Sequence, residues 1–224
     1  LFFLFLRIPL FMLPPLTLHL CRHGNTFSPG EPVVWVGRGQ DLPLAPSGRT
    51  QAEDLAQTLK NEDVTPDLIY CSSLQRTRDF AFILQNHLAP ACPVIAHSHL
   101  DELDYGQWGG LSSEEIADRF GQHVLDAWQK DALFPKADQG AWGDTESTIM
   151  RRIRDFLQDL GQDCQALPQP PRHVIIVSSN GFLRFFLHVV PGAFEEAKRK
   201  NTLKLPTAGR RVMRYDGRDF SLGG

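Results

Sequence analysis

Four consecutive β-branched apolar residues, Val174-Ile175-Ile176-Val177, constrain this chain more than any other feature. A strand with no polar alternation must be buried on both faces, which happens in sheets covered by helices on each side. The run is followed by Ser178-Ser179-Asn180-Gly181 and then by an apolar, helical pattern from Gly181 to Val190. The same order recurs earlier. Leu16 to Cys21 reads as a strand, and after a polar, turn-rich stretch Gln51 to Lys60 places Ala52, Leu55, Ala56 and Leu59 on one helical stripe. Thr50 and Glu53 are spaced as a capping box for that helix. Leu68 to Cys71 is a second short strand, and Ser72-Ser73 introduces a helix through Leu84. Ser112 and Glu115 form another capping-box pattern, and Thr145 to Leu160 carries Ile149, Ile153, Phe156, Leu157 and Leu160 at helical spacing. Strands alternating with helices predict a three-layer α/β/α sandwich with a mostly parallel central sheet. Ligands then bind at the carboxyl ends of the strands.

A chain of 224 residues suits one such domain. A hydrophobic content of 42% with 22% charged residues is that of a globular protein, and a net charge of -3 argues against nucleic acid as a partner. The four cysteines, Cys21, Cys71, Cys92 and Cys164, show no metal-binding or redox spacing and read as free buried thiols, pointing to a cytoplasmic protein; export would allow pairing. Leu1 to Leu13 is almost wholly apolar apart from Arg7 and Pro9. It is too short to span a membrane, which takes roughly 20 residues, and it lacks the small-residue cleavage site of a secretory signal. The expectation is that residues 1–11 are upstream reading frame or appended sequence and that 12–224 form the single domain.

The strongest local signal is Leu20-Cys21-Arg22-His23-Gly24-Asn25-Thr26, where an arginine and a histidine directly follow the first strand. A guanidinium grips two phosphoryl oxygens, a neutral imidazole offers a nucleophilic nitrogen, Gly24 permits close backbone approach, and Asn25 and Thr26 add neutral donors. Taken alone, Arg-His-Gly is also compatible with a surface turn.

In order along the chain, further motifs join it: Asp41-Leu42-Pro43-Leu44 with Gly48 and Gln51-Ala52; Ser72-Ser73-Leu74-Gln75-Arg76-Thr77; Leu100-Asp101-Glu102 followed by Tyr105-Gly106-Gln107-Trp108-Gly109-Gly110; and Thr145-Glu146-Ser147. Together they resemble the histidine phosphatase superfamily, which includes cofactor-dependent phosphoglycerate mutases. The resemblance implies a phosphoglycerate mutase-like fold, Arg76 as a second phosphoryl contact, and Glu102 as proton donor to the leaving group and then base toward water. It implies a small phosphorylated substrate, transient phosphorylation of His23, and neither cofactor nor metal. Asp101 and Asp104 stand beside Glu102 as rival acids, and Trp108 reads as packing.

One departure stands out. Where the resemblance implies a second histidine followed by glycine, this chain has Ser179 and Asn180, which can donate hydrogen bonds to substrate but carry no charge. His97 and His99, just before Glu102, are in position along the chain to supply the missing cation. His19, His173 and His188 read as packed or exposed residues, and the run Glu195 to Lys200 as a solvated helix face. The expected activity is hydrolysis of a phosphomonoester. The alternatives are mutase-like phosphotransfer and a catalytically weakened phospho-ligand binder.

Overall fold

The computed structural model describes residues 13–223, so the expected 1–11 extension and Met12 lie outside the described residues. Six strands form one sheet: β1 (Leu16–Arg22), β2 (Leu68–Cys71), β3 (Val94–Ala96), β4 (His173–Ser178), β5 (Arg210–Tyr215) and β6 (Phe220–Leu222). Their spatial order is β3-β2-β4-β1-β5-β6. The first four strands in that order pair in parallel, and β5 and β6 add an antiparallel edge.

The apolar run of β4 divides between two cores. Val174 and Ile176 pack on one side with Leu18, Leu20, Tyr70 and Phe156, while Ile175 and Val177 pack on the other with Cys71, Leu59, Phe80 and Leu84. Burial on both faces is what an unbroken β-branched strand requires. Helices α1 (Pro46–Asn61) and α2 (Gln75–Leu88) close the second side. The first side is closed by α5 (Glu146–Ala166), together with α3 (Ser113–Phe120) and α4 (Gln122–Asp131), which lie between β3 and α5 in sequence.

Two local expectations change. Helix α1 starts at Pro46, not after Thr50, because proline suits the first helical turn; Thr50 lies inside the helix with its hydroxyl donating to the Pro46 carbonyl at 3.5 Å. The pattern from Gly181 to Val190 is not one helix but a four-residue helix α6 (Asn180–Leu183) continuing into 3-10 turns over Arg184–Val189. The box at Ser112 and Glu115 forms as expected, with Ser112 Oγ accepting the Glu115 N–H at 3.2 Å and Glu115 Oε2 accepting the Ser112 N–H at 2.8 Å. The charged run lies on α7 (Ala193–Arg199), where Lys200 and Glu196 pair at 2.6 Å. All four cysteines are free and buried, and no helix among the described residues is long and apolar enough to cross a membrane.

Candidate active site

The centre of the site follows from strand register. Arg22 and Ser178 are partners at the carboxyl ends of the adjacent parallel strands β1 and β4, and the His23 N–H donates to the Ser178 carbonyl at 3.1 Å. His23 and Ser179 therefore leave the sheet side by side. Gly24 is required where this turn crosses the start of α1: a Cβ there would sit 2.4 Å from the Gly48 carbonyl oxygen, and one on Gly48 would sit 2.2 Å from that of Asn25.

His23 is 9% exposed, and its Nδ1 lies 2.7 Å from the Gly24 carbonyl oxygen. A carbonyl only accepts, so Nδ1 carries the proton and Nε2 keeps its lone pair. Burial, followed by the Arg76 and Arg22 cations, pushes the imidazole pKa down to about 3, against the weaker opposing pull of Gly24. The ring is therefore neutral across the physiological range. Arg76, in the first turn of α2, is 2% exposed and donates from Nη1 to the Gln40 carbonyl at 3.0 Å and from Nη2 to the Gly37 carbonyl at 2.8 Å. Arg22 donates from Nη1 to the Leu205 carbonyl at 2.8 Å, and its Nε has no partner among the described residues.

Glu102 is the buried acid of the three candidates. Its Oε1 accepts the Leu103 and Phe182 N–H groups at 2.9 and 3.0 Å, and Oε2 accepts that of Gly181 at 3.2 Å. The Tyr105 phenol also bonds to it, and burial and then the Glu102 charge push that phenol well above its usual range. Both Arg22 and Arg76 feel the Glu102 charge. The rivals serve the scaffold. Asp101 accepts the Ser73 N–H and hydroxyl at 2.7 and 2.8 Å, whereas Asp104 accepts the Gly106 N–H at 3.0 Å and pairs with Arg38 at 3.4 Å.

Arg152 of α5, which no sequence motif singles out, holds the acidic segment in place. It donates to the main-chain oxygens of His99, at 3.2 Å, and Asp101, pairs with the buried Asp144 at 3.4 Å, and stacks its guanidinium 4.6 Å over the Phe182 ring. Ser178 Oγ adds a bond to the Leu100 carbonyl at 2.6 Å. An arginine on a long amphipathic helix reads as a solvated charge in one dimension, and only the tertiary approach of the Asp101 carbonyl reveals its role.

The neutral candidates divide. Asn25 is tied by its backbone to Gln51 Oε1 at 2.9 Å, and half-buried Thr26 follows it. Ser179 is 2% exposed and its Oγ has no partner among the described residues. Asn180 Oδ1 instead accepts the Leu205 N–H at 2.9 Å, so that oxygen is engaged with a loop. His97 and His99 turn to α5. His97 Nε2 lies 3.2 Å from Asp159 Oδ2, and its Nδ1 accepts the His99 N–H at 3.3 Å. The fold thus gathers ligand atoms of His97, His99 and Asp159 within 4.8 Å of one another, a grouping the linear spacing does not reveal. The Nδ1 bond places the His97 proton on Nε2, facing Asp159, as a hydrogen-bonded pair. Trp108 is fully buried, with its indole N–H donated to the Gln139 carbonyl at 3.1 Å.

The family model of the histidine phosphatase superfamily (branch 1) matches residues 18–223. The chain belongs to this superfamily. A 2,3-bisphosphoglycerate-dependent phosphoglycerate mutase from Bartonella bacilliformis is 28% identical over 188 residues, covering 80% of this chain and 84% of the mutase. Phosphoserine phosphatase 1 from Hydrogenobacter thermophilus is 30% identical over 128 residues, covering 56% of this chain and 57% of that protein. Among solved structures, a mycobacterial glucosyl-3-phosphoglycerate phosphatase shares the fold with a TM-score of 0.71 at 24% identity, over 92% of this chain and 96% of that one. The histidine phosphatase superfamily thus contains both mutases and phosphatases among proteins similar to this chain.

Proposed function

We propose that this histidine phosphatase superfamily member hydrolyses a small phosphomonoester in two half-reactions through a phosphohistidine on His23. The observation that carries the reading is the state of that imidazole: proton pinned on Nδ1 by the Gly24 carbonyl, pKa lowered to about 3 by burial and two guanidiniums, and Nε2 without a hydrogen-bond partner among the described residues. In the first step Nε2 bonds to phosphorus as the ester P–O bond breaks, and Glu102 gives its proton to the departing alkoxide. In the second, water bonds to phosphorus, the P–N bond breaks, and Glu102 takes the water proton back. Arg22 and Arg76 neutralise the phosphoryl oxygens, the electrostatic and positional contribution on which phosphoryl transfer depends. Asn25, Thr26, Ser179 and Asn180 surround the phosphoryl group as neutral residues. The reading uses neither metal nor cofactor, and a chelator is expected to leave the rate unchanged.

Mixing with p-nitrophenyl phosphate, quenching within milliseconds and working up under alkali, which preserves the acid-labile adduct, should reveal phosphohistidine that vanishes in His23→Ala. Undiminished turnover by His23→Ala would remove it as the nucleophile. A mutase would instead transfer the phosphoryl group of the isolated adduct to an added hydroxyacid in preference to water.

A further inference from the structure

The loop between α7 and β5 lies against the phosphoryl pocket and carries a lysine, Lys204. Four backbone bonds tie it there. The Leu205 carbonyl accepts from Arg22 Nη1 at 2.8 Å and the Leu205 N–H donates to Asn180 Oδ1 at 2.9 Å. Ala208 N–H donates to the His23 carbonyl at 3.3 Å, and the Gly209 carbonyl accepts the Arg22 N–H at 2.9 Å. The stretch from Leu205 to Gly209 is thereby fastened to residues 22, 23 and 180, all at the carboxyl ends of β1 and β4.

Lys204 opens this stretch, exposed between the buried Leu203 and Leu205. Of its cationic neighbours in sequence, Lys198 pairs with Asp131 at 3.7 Å, Lys200 with Glu196 at 2.6 Å and Arg210 with Glu62 at 2.7 Å, while Arg211 donates to the Thr202 carbonyl. Lys204 pairs with no carboxylate among the described residues. Its side chain reaches solvent but is enclosed in part, and that partial desolvation, followed by the charges of Arg22 and the buried Arg184, lowers its pKa. Arg184 is itself occupied, donating to the Trp128 carbonyl at 3.0 Å with its guanidinium 4.4 Å over the Trp128 ring. Among the described residues, Glu102 is the carboxylate that acts on both Arg22 and Arg184. Cations crowded together against a single carboxylate favour an anionic ligand.

We infer that Lys204 is a further catalytic residue of this pocket, its ammonium contacting the transferring phosphoryl group and supplying the charge that the neutral Ser179 does not. The inference rests on the hydrolytic reading above. Asn180 then anchors the backbone beside Lys204. Ser179 Oγ, buried and unpartnered among the described residues, remains as a neutral donor to the same oxygens.

The test uses p-nitrophenyl phosphate, which has one anionic group, and inorganic phosphate as a competitive probe. Lys204→Met should slow formation of the phosphohistidine by about 100-fold, the size of losing one transition-state donor, and weaken inhibition by phosphate, while Lys204→Arg keeps part of the rate. Adding Ser179→His to Lys204→Met should restore more rate than Ser179→His adds to the wild type. An unchanged rate and unchanged phosphate inhibition in Lys204→Met would overturn the inference. So would a defect limited to KM for substrates bearing a second anionic group. If Lys204→Met fails to fold, Lys204→Gln takes its place. Should the wild type itself form no phosphohistidine, hydrolysis is the reading that fails, and phosphate titration of the two proteins still decides whether Lys204 binds the phosphoryl group.

Discussion

Glu102 Oε1 accepts the backbone N–H of Phe182 at 3.0 Å, a bond between residues 80 positions apart. The acid and the short helix that follows β4 are thus one unit, and a change in either reaches the other.

Glu102→Gln separates proton transfer from phosphoryl transfer. A p-nitrophenolate leaves without protonation, so its first half-reaction should slow less than about tenfold. An alkyl phosphate needs the proton, and its kcat/KM should drop by roughly 10²–10⁴-fold, the usual size of general acid catalysis. Equal losses on both substrates in the stopped-flow rate of phosphohistidine formation and in kcat/KM would deny Glu102 the role of acid.

Gly181→Ala tests the same unit from the helix side. The added Cβ would come 2.5 Å from Glu102 Oε1 and 2.3 Å from the Tyr105 oxygen, so the carboxylate must move. Overpacking of this kind costs about 1–3 kcal/mol. Denaturant melts should show that loss, together with a fall in alkyl phosphate turnover larger than the fall with p-nitrophenyl phosphate.

Arg152→Met removes the bonds to the His99 and Asp101 carbonyls and leaves Asp144 with weaker compensation from Arg38 at 3.5 Å. Breaking a buried pair from one side costs about 3–5 kcal/mol where the remaining charge has no other partner, and with Arg38 still beside Asp144 the loss should fall below that range. A positioning role also predicts a shift in the substrate pattern toward that of Glu102→Gln, with Arg152→Lys intermediate. Lost stability with an unaltered ratio of alkyl to p-nitrophenyl phosphate turnover would leave Arg152 a structural residue only.

Folding stability should decline as pH falls below about 6.5. Burial lowers His19 and His23 to about 3 and His188 to about 4, whereas in the unfolded chain each titrates near 6.5. Above that pH neither state holds the proton, and below it the unfolded chain takes up more protons, so each histidine costs up to about 1.4 kcal/mol per pH unit until its folded pKa is reached. Urea titrations between pH 7.5 and 5 should show the slope, and His188→Gln should lower it by one proton's worth. A slope identical in wild type and variant would remove His188 from the linkage.

The sequence by itself determined the layering and the strand end at which the candidate site begins. Val174 to Val177 cannot rest on a sheet open on one side, and Arg22 and His23 directly follow a strand end; both facts follow from local pattern. Glu102 was legible as a candidate, but Asp101 and Asp104 matched it in composition and proximity. What separates them in the fold is long-range: the backbone donors of Gly181 and Phe182 bond Glu102, whereas Ser73 and Arg38 engage the other two carboxylates. The start of α1 is misplaced in a local reading because a capping pattern at Thr50 competes with the stronger proline signal at Pro46. β5 has no comparable apolar run, since Arg210, Arg211 and Arg214 interrupt it, and it becomes a strand by pairing with β1. Lys204 and Arg152 were illegible for one physical reason. Each is an ordinary surface residue type whose meaning depends on what lies opposite it, and that is set by bonds between Asn180 and Leu205 and between α5 and the Asp101 carbonyl, which arise only when distant segments pack together.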